Sequence, residues 1–506
     1  MRALVELRSR NTHLLRPMMI RLDRLGWSRQ WLGAHGFALL LCATVLVASA
    51  LRVYRLDYQS LWSDEIFSLI TSNPKLSLGE FWDRVLADTH PPIYYLLLRL
   101  SSFAFGQSEL AARAPSAVFS ILTLCAAAIL PGSSLSRGAR LAFPLLIAAS
   151  PGAVWYGREV RSYALLLLLS TLITLVCLRF LGSMPDEDRK MRAAIATLTA
   201  AAILVSFTHY FGFLLAAAVF ATSFLLTAKQ RKAIVGLAGC GVLALFLPWV
   251  VYHSQFVDMR LTGWIGKYPL NAVIDWFIRL SFGGTASVAL FVATGITFVA
   301  VGGWRYLGER NSPIWTCILL CVLTLAAAAV ISFHTPILTS RNMIVVLPAL
   351  YVIAAELASC LMRGWGTFAG AVYLAAQTAL MSQPIADYYT KEMKEEWRDT
   401  AGVVLNTPGC EAGTIHVYGD AAYYRFFTEA VRPRLRLLEI PEGESKDLRR
   451  EPATSCPILL WVVGAWNADD IRAKLGLSDN SFGVADFYEA FVIFRNPPYH
   501  DGVLSR

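Results

Sequence analysis

The chain has 506 residues, 56% of them hydrophobic and only 16% charged, where a soluble domain carries about 25% charged residues. A mean hydropathy of +0.50, with repeated apolar runs near the ~20 residues a membrane helix needs, excludes a soluble globular enzyme and indicates a polytopic α-helical membrane protein. The net charge of +9 does not point to nucleic acid, because much of it falls in short loops between apolar runs, where Lys and Arg set topology.

Residues 1–33 form a basic segment with Arg2, Arg8, Arg10, Arg16, Arg21, Arg24 and Arg29 against Glu6 and Asp23, which places the N-terminus in the cytoplasm. The first apolar run ends in Ala48-Ser49-Ala50, like a signal-peptide cleavage site. The segment before it is too long for an n-region, so Ala34–Arg52 reads as the first span of a membrane domain over residues 34–385. The loop 53–107 then lies outside. Within it, SDEIFSLITS predicts a surface helix with Ser63 as N-cap and Asp64 and Glu65 in the first turn. Carboxylates there favour the helix dipole by roughly 0.3–1 kcal/mol each. SLGEFWDRVLAD predicts a second such helix with Phe81, Trp82, Val85 and Leu86 on one face.

The loop continues as ADTHPPIYY, and Pro91 and Pro92 end the preceding helix and hold Asp88 and His90 near the membrane face. The piece PPIYYLLLRLSSFAFG carries Arg99 in its middle, which at mid-bilayer costs at least ~2.5 kcal/mol. If the piece lies along the interface, every basic short loop falls inside: Arg137/Arg140, Arg189/Lys190/Arg192, Lys229/Arg231/Lys232, Arg305/Arg310 and Arg363. The expectation is therefore about eleven spanning helices with the C-terminus outside. The turn at Gly157–Val160, a longer loop around Tyr252–Gly284, and the turn His334–Asn342 also lie outside.

Near residue 386 charges become dense and apolar runs shorten. Strands are expected at Thr414–Gly419, Arg434–Ile440, Pro457–Gly464 and Tyr488–Phe494, and helices at EEWRDTAGVVL, Ala421–Glu429 and Asp469–Leu475. Residues 386–506 thus read as a small extracytoplasmic α/β domain. Seven of the nine cysteines lie in expected spans. Cys410 and Cys456 lie in this domain, where they are either a disulfide or two thiols.

Ionisable groups gather at the outer turns. Besides Asp64, Glu65, Asp88 and His90, WYGREVRSYAL brings Arg158, Glu159, Arg161 and Tyr163, FTHYFG brings His209 and Tyr210, and HTPILTSRNM brings His334, Arg341 and Asn342. Each has a plainer reading: a helix cap for Asp64, salt bridges for the arginines, a packed interfacial histidine for His209. Together they suit transfer from a lipid phosphate, with arginines holding the anionic leaving group and a carboxylate taking the acceptor proton. Asp64, Glu65, Asp88 and His90 are also a donor set suited to a divalent ion, although no zinc or P-loop spacing is present. Asp186-x-Asp188 reads as a solvated cytoplasmic loop, and GWGTFAG lacks the preceding strand of a dinucleotide fingerprint.

The ordered set LDYQSLWSDEIFSL, DTHPPIYYLLL, ELAARAPSA, YGREVRSYAL, THYFG and SRNMIVVLPAL, over roughly residues 53–350, resembles the membrane-embedded C-type (GT-C) glycosyltransferases. The similar branch holds protein O-mannosyltransferases, lipid A aminoarabinose transferases and rhizobial galacturonosyltransferases (glycosyltransferase family 39-like). The late EEWRDTAG is common in its bacterial members. The resemblance implies a polyprenyl-phosphate sugar donor, action on the outer face of the cytoplasmic membrane, and inversion at the anomeric centre. The acceptor would be a lipid, glycan or protein. It implies Asp64 as the base or acceptor-site acid, with Glu65 beside it, and Arg158, Arg161, Arg341 and His90 for the donor phosphate. Asp88, Tyr163, His209 and Tyr210 are further substrate-binding candidates. Asn342 departs from the family's Arg-Tyr pattern. The alternatives are a transporter or flippase of lipid-linked sugars, which would carry charge near mid-membrane, and a non-catalytic scaffold.

Overall fold

A computed structural model describes residues 29–182, 188–257, 265, 269–300, 312–364, 366–442, 444–450, 455–464, 468–477 and 482–495. Most of the basic N-terminal segment, Asp186 and the Arg305/Arg310 loop lie outside the described residues.

The chain opens with α1 (Arg29–Val53) and then three short helices, α2 (Ser63–Thr71), α3 (Leu78–Ala87) and α4 (Ile93–Phe105). Trp62, not the expected Ser63, is the N-cap of α2. Ser63 becomes the first helical residue because its backbone N–H, 2.9 Å from Oε2 of Glu395, is satisfied by that carboxylate. In α3, Ser77 caps and Phe81 and Val85 are buried, while Trp82 is exposed. At 13 residues, α4 is shorter than a span. Arg99 turns its guanidinium back to the carbonyls of Asn73 at 2.8 Å and Leu76 at 2.5 Å, so it is tied to the loop.

The helical body follows with α5 (Glu109–Ile129), α6 (Arg137–Ala149), α7 (Pro151–Tyr156), α8 (Tyr163–Gly182), α9 (Asp188–Ser206), α10 (Tyr210–Leu226) and α11 (Lys232–His253). After these come α12 (Leu270–Phe282), α13 (Thr285–Phe298), α14 (Pro313–Ser332), α15 (Leu347–Gly364) and α16 (Thr367–Thr390). Among the described residues six helices are long and apolar enough to cross a membrane, and the pair α12–α13 adds a seventh if it counts as one span. The other expected spans are broken, short or less apolar. The run Leu141–Tyr156 breaks at Ser150, which caps α7 from the position before Pro151; proline has no N–H to continue the ladder. The pair α12–α13 bends by 75° at Gly283 and Gly284, whose φ values are +78° and +146°. A Cβ at Gly283 would lie 2.6 Å from the carbonyl of Leu380, so only glycine fits. The end of the loop expected at Tyr252–Gly284 is therefore helix.

A charged side chain is buried within the helical body. Glu356 in α15 is buried, and it accepts from the backbone N–H and hydroxyl of Ser136 at 2.9 and 2.7 Å, capping α6.

The C-terminal module comprises α17 (Trp397–Asn406), β1 (Thr414–Tyr418), α18 (Ala421–Thr428), β2 (Arg436–Ile440), β3 (Ile458–Val463), α19 (Ala468–Lys474), β4 (Gly483–Phe487) and β5 (Ala490–Phe494). Its sheet has the order β2-β1-β3-β5-β4. β1 runs parallel to β2 and β3, and β5 antiparallel to β3 and β4. β3 and β5 are buried along their length, as fully apolar strands must be. Sequence reading missed β4, whose Gly483 and Asp486 depress strand signal. It also started β5 too early: Tyr488 and Glu489 form the hairpin turn, with Glu489 at φ 52°.

Cys410 and Cys456 are joined in a disulfide, and the other seven cysteines are free. Alkylation of the denatured protein should modify seven thiols without reductant and nine after reduction, read by intact mass. Nine modified thiols without reductant would contradict the bridge.

Candidate active site

The loop 53–107, the Gly157–Val160 turn and the C-terminal module meet on one face, where α2 is fixed by buried charge. Glu65 is fully buried. Its carboxylate accepts from Arg113 Nε at 2.9 Å and Nη2 at 2.8 Å, from Lys394 Nζ at 3.0 Å and from the backbone N–H of Val160 at 2.9 Å. Burial pushes this carboxyl up, but Arg113 and Lys394 outweigh it and hold it below its ordinary range. Lys394 also reaches Glu159 at 3.3 Å. Arg113 further donates to the carbonyls of Leu56, Gln59 and Ser60. Glu65 therefore joins four chain segments and lies outside the cavity described next.

Neighbours on a helix point about 100° apart. With Glu65 turned inward, Asp64 faces a cavity of about 460 Å³, and Phe67, one turn on, lines it too. The Asp64 side chain is 31% exposed. Its Oδ2 lies 2.5 Å from Arg341 Nη1 and 4.0 Å from Arg161 Nη2. Partial burial raises the Asp64 carboxyl, yet Arg341 and Arg161 together hold it below the usual carboxylate range. Arg161 is also tied by Nη1 to the Asp64 carbonyl at 3.4 Å and Ser68 Oγ at 3.3 Å. The Arg341 guanidinium lies over the Trp62 ring, 5.5 Å from its centroid, a cation–π contact.

A second group lines the same cavity. The Asp88 carboxylate meets His90 Nδ1 at 3.0 Å and also accepts from the Tyr95 hydroxyl. Burial raises Asp88, while His90 and Arg161 pull it below its ordinary range. The His90 ring stands edge-on to His209, with centroids 5.1 Å apart. His209 Nδ1 accepts from the Phe211 N–H at 3.1 Å, so its proton sits on Nε2. Burial, with His90, Arg161 and Arg341 nearby, holds His209 well below its usual value and hence neutral. Tyr163 and Tyr210 line the same cavity, and the Tyr210 hydroxyl is 2.5 Å from His253 Nδ1.

The cavity is amphipathic. Its charged end holds Asp64, Asp88, His90, Arg161 and Arg341. Its other end is walled by Phe213 and Leu214 of α10, Leu243, Phe246, Leu247 and Val250 of α11, and Ile331 of α14.

Eight of the ten expected residues thus line one cavity, and two do not. Glu65 belongs to the buried ion cluster. Arg158 turns away, and its Nη1 donates to the carbonyls of Leu51, Arg52 and Tyr54, while Nη2 donates to that of Arg55. It closes the C-terminal end of α1, where a cation is favoured. Among the described residues no three His, Cys, Asp or Glu side chains converge to hold a metal ion. Of Asp64, Glu65, Asp88 and His90, the donor set suited to a divalent ion, Asp64 is paired with arginines and Glu65 turns inward. Sequence reading gave no role to Arg113, in ELAARAPSA, or to the KEEWR segment. That segment docks the module: Glu395 caps α2, and Arg398 donates to the carbonyls of Asp57 and Tyr58 and to Glu109. Tyr423, a cavity residue from the module, was missed as well, because nothing local in AAYYRF marks it.

The family model for dolichyl-phosphate-mannose-protein mannosyltransferases matches residues 89–252. No curated protein sequence matches the chain. Among solved structures, ArnT from Cupriavidus metallidurans in the apo state has a TM-score of 0.56 at 13% identity, covering 91% of this chain and 98% of that one. At this identity the likeness shows a shared fold. ArnT bound to undecaprenyl phosphate has a TM-score of 0.51 at 13% identity, with coverages of 94% and 100%. The oligosaccharyltransferase AglB from Archaeoglobus fulgidus, in complex with an inhibitory peptide and a dolichol-phosphate, gives 0.55 at 13% identity, with coverages of 92% and 75%.

Removing one partner of a buried ion pair leaves the other charge unpaired and costs about 3–5 kcal/mol. Glu65→Gln and Lys394→Met should therefore lower the thermal unfolding midpoint of the detergent-solubilised protein clearly. Asp64→Asn, at a partly exposed site, should change stability by no more than about 1 kcal/mol. Equal midpoints for all three variants would contradict the division of labour between the adjacent carboxylates.

Proposed function

We propose that the protein transfers a monosaccharide from a polyprenyl-phosphate carrier to a hydroxyl of a cell-envelope acceptor, on the extracytoplasmic side of the cytoplasmic membrane and with inversion. The observation that carries this reading is the amphipathic cavity. One end offers two arginines within reach of one anion, and the other is lined by apolar side chains of α10, α11 and α14. An anion on a long hydrocarbon chain fits both ends at once. The undecaprenyl phosphate and dolichol-phosphate carried by the ArnT and AglB structures are of that class.

In this reading the donor phosphodiester lies between Arg161 and Arg341. The acceptor oxygen attacks the anomeric carbon as the carbon–oxygen bond to phosphate breaks, and the electron pair passes to the phosphate oxygen. The acceptor proton moves to Asp64. Charge on the leaving phosphate grows during this step, and fixed guanidinium groups stabilise growing charge better than water does. The same growth draws Arg161 and Arg341 toward the phosphate and weakens their hold on Asp64, whose carboxylate then becomes more basic as the proton arrives. Asp88, itself held by the Tyr95 hydroxyl, binds His90 Nδ1 and so fixes the ring in the charged part of the site. Neutral His209 is suited to a sugar hydroxyl.

A flippase is the weaker reading, because it needs a polar path through the membrane, whereas the deep end of this cavity is apolar. The test is transfer from radiolabelled polyprenyl-phosphate sugars by the purified protein. Asp64→Asn should lower kcat by about 10²–10⁴-fold, and Arg341→Ala by about 10²–10³-fold. Normal transfer by Asp64→Asn at normal expression would remove Asp64 as the base.

A further inference from the structure

We propose that the C-terminal module forms the acceptor-side wall of the active site, with Tyr423 as the specificity residue that receives a carbohydrate ring of the acceptor. The inference rests on the transferase reading above and adds a substrate class to it.

Tyr423 lies on α18 of the module and yet lines the same cavity as Asp64 and Phe67. Its ring is held from behind. Trp397 stacks on it with centroids 6.0 Å apart and planes 27° apart, and Phe427 stacks on Trp397 at 6.0 Å and 10°. The exposed part of the Tyr423 ring is therefore a fixed aromatic face of the kind that covers the C–H face of a sugar ring. Its hydroxyl has no hydrogen-bond partner among the described residues. Burial and the nearby Asp64 carboxylate push this phenol above its ordinary range, so it stays protonated and offers a donor. An aromatic face, a phenol donor and a carboxylate acceptor in one wall match a ring bearing several hydroxyls. A lone Ser or Thr side chain would leave the aromatic face uncovered.

The direction of attack assigns this wall to the acceptor. Inversion places the incoming oxygen opposite the leaving phosphate. The lipid end is occupied by α10, α11 and α14, and the phosphate end by Arg161 and Arg341. The module closes the cavity beside Asp64, the residue that takes the acceptor proton. Its position there is rigid. Lys394 is buried on Glu65, Glu395 caps α2, and Arg398 is bound to the loop 53–107. The module is thus fixed to the helix that bears the base, and Tyr423 keeps a set distance from Asp64.

The experiment uses full-length protein with labelled polyprenyl-phosphate sugar as donor. The acceptor is a glycan and glycolipid extract from envelopes of a strain lacking the gene. Tyr423→Ala should raise the apparent KM for the extract about tenfold while kcat at saturation falls less than about threefold, and Tyr423→Phe should fall between. Undecaprenyl phosphate affinity, measured without acceptor, should stay within about twofold. A KM for extract that does not move in Tyr423→Ala overturns the proposal. So does a parallel loss of undecaprenyl phosphate affinity, which would make Tyr423 a donor or structural residue. Label appearing on protein instead of glycan overturns the substrate class. If the wild-type protein neither binds undecaprenyl phosphate nor transfers sugar, the transferase reading fails, and this inference with it.

Discussion

The buried contact of Glu65 with Arg113 and Lys394 is the constraint on which the rest of the site depends. Two buried cations and the backbone N–H groups of Val160 and Trp62 converge on one carboxylate. The cluster joins the loop 53–107, α5, the turn before α8 and the entry to the C-terminal module. Desolvating three charges is costly, and the arrangement is favourable only because each charge has several partners. Its structural effect is to set the rotation of α2. Once Glu65 points inward, the adjacent Asp64 must face the cavity.

The cavity gathers charges of both signs. Arg161 and Arg341 share one partly exposed carboxylate, Asp64. An anionic ligand would compete with Asp64 for the same guanidinium groups. The neighbouring imidazoles differ in kind: His90 is oriented by Asp88, whereas His209 is held neutral by burial and by surrounding cations. One end of the cavity thus favours anions and hydroxyls, and the other, walled by apolar helices, favours hydrocarbon.

Much of this was legible from composition and local pattern. Apolar runs gave the membrane class, charge asymmetry grouped the ionisable turns on one face, and alternation of strand and helix gave the C-terminal module. Single residues were harder to read. Asp64 and Glu65 are neighbours of the same type, and only the distant Arg113 and Lys394 separate their roles. Arg158 and Arg161 share one short motif, but the first is taken by carbonyls at the end of α1. The cap of α2 comes from Glu395, 332 residues away, which no local rule can find. Tyr423 enters the cavity only because the KEEWR segment docks the module.

The most direct test of the central claim is a cryo-EM structure of the protein with undecaprenyl phosphate. The account places the phosphate between Arg161 and Arg341, with Asp64 displaced from at least one guanidinium and the hydrocarbon chain passing between α10, α11 and α14. A phosphate bound elsewhere, with the Asp64–Arg341 contact intact and the cavity empty, would contradict it.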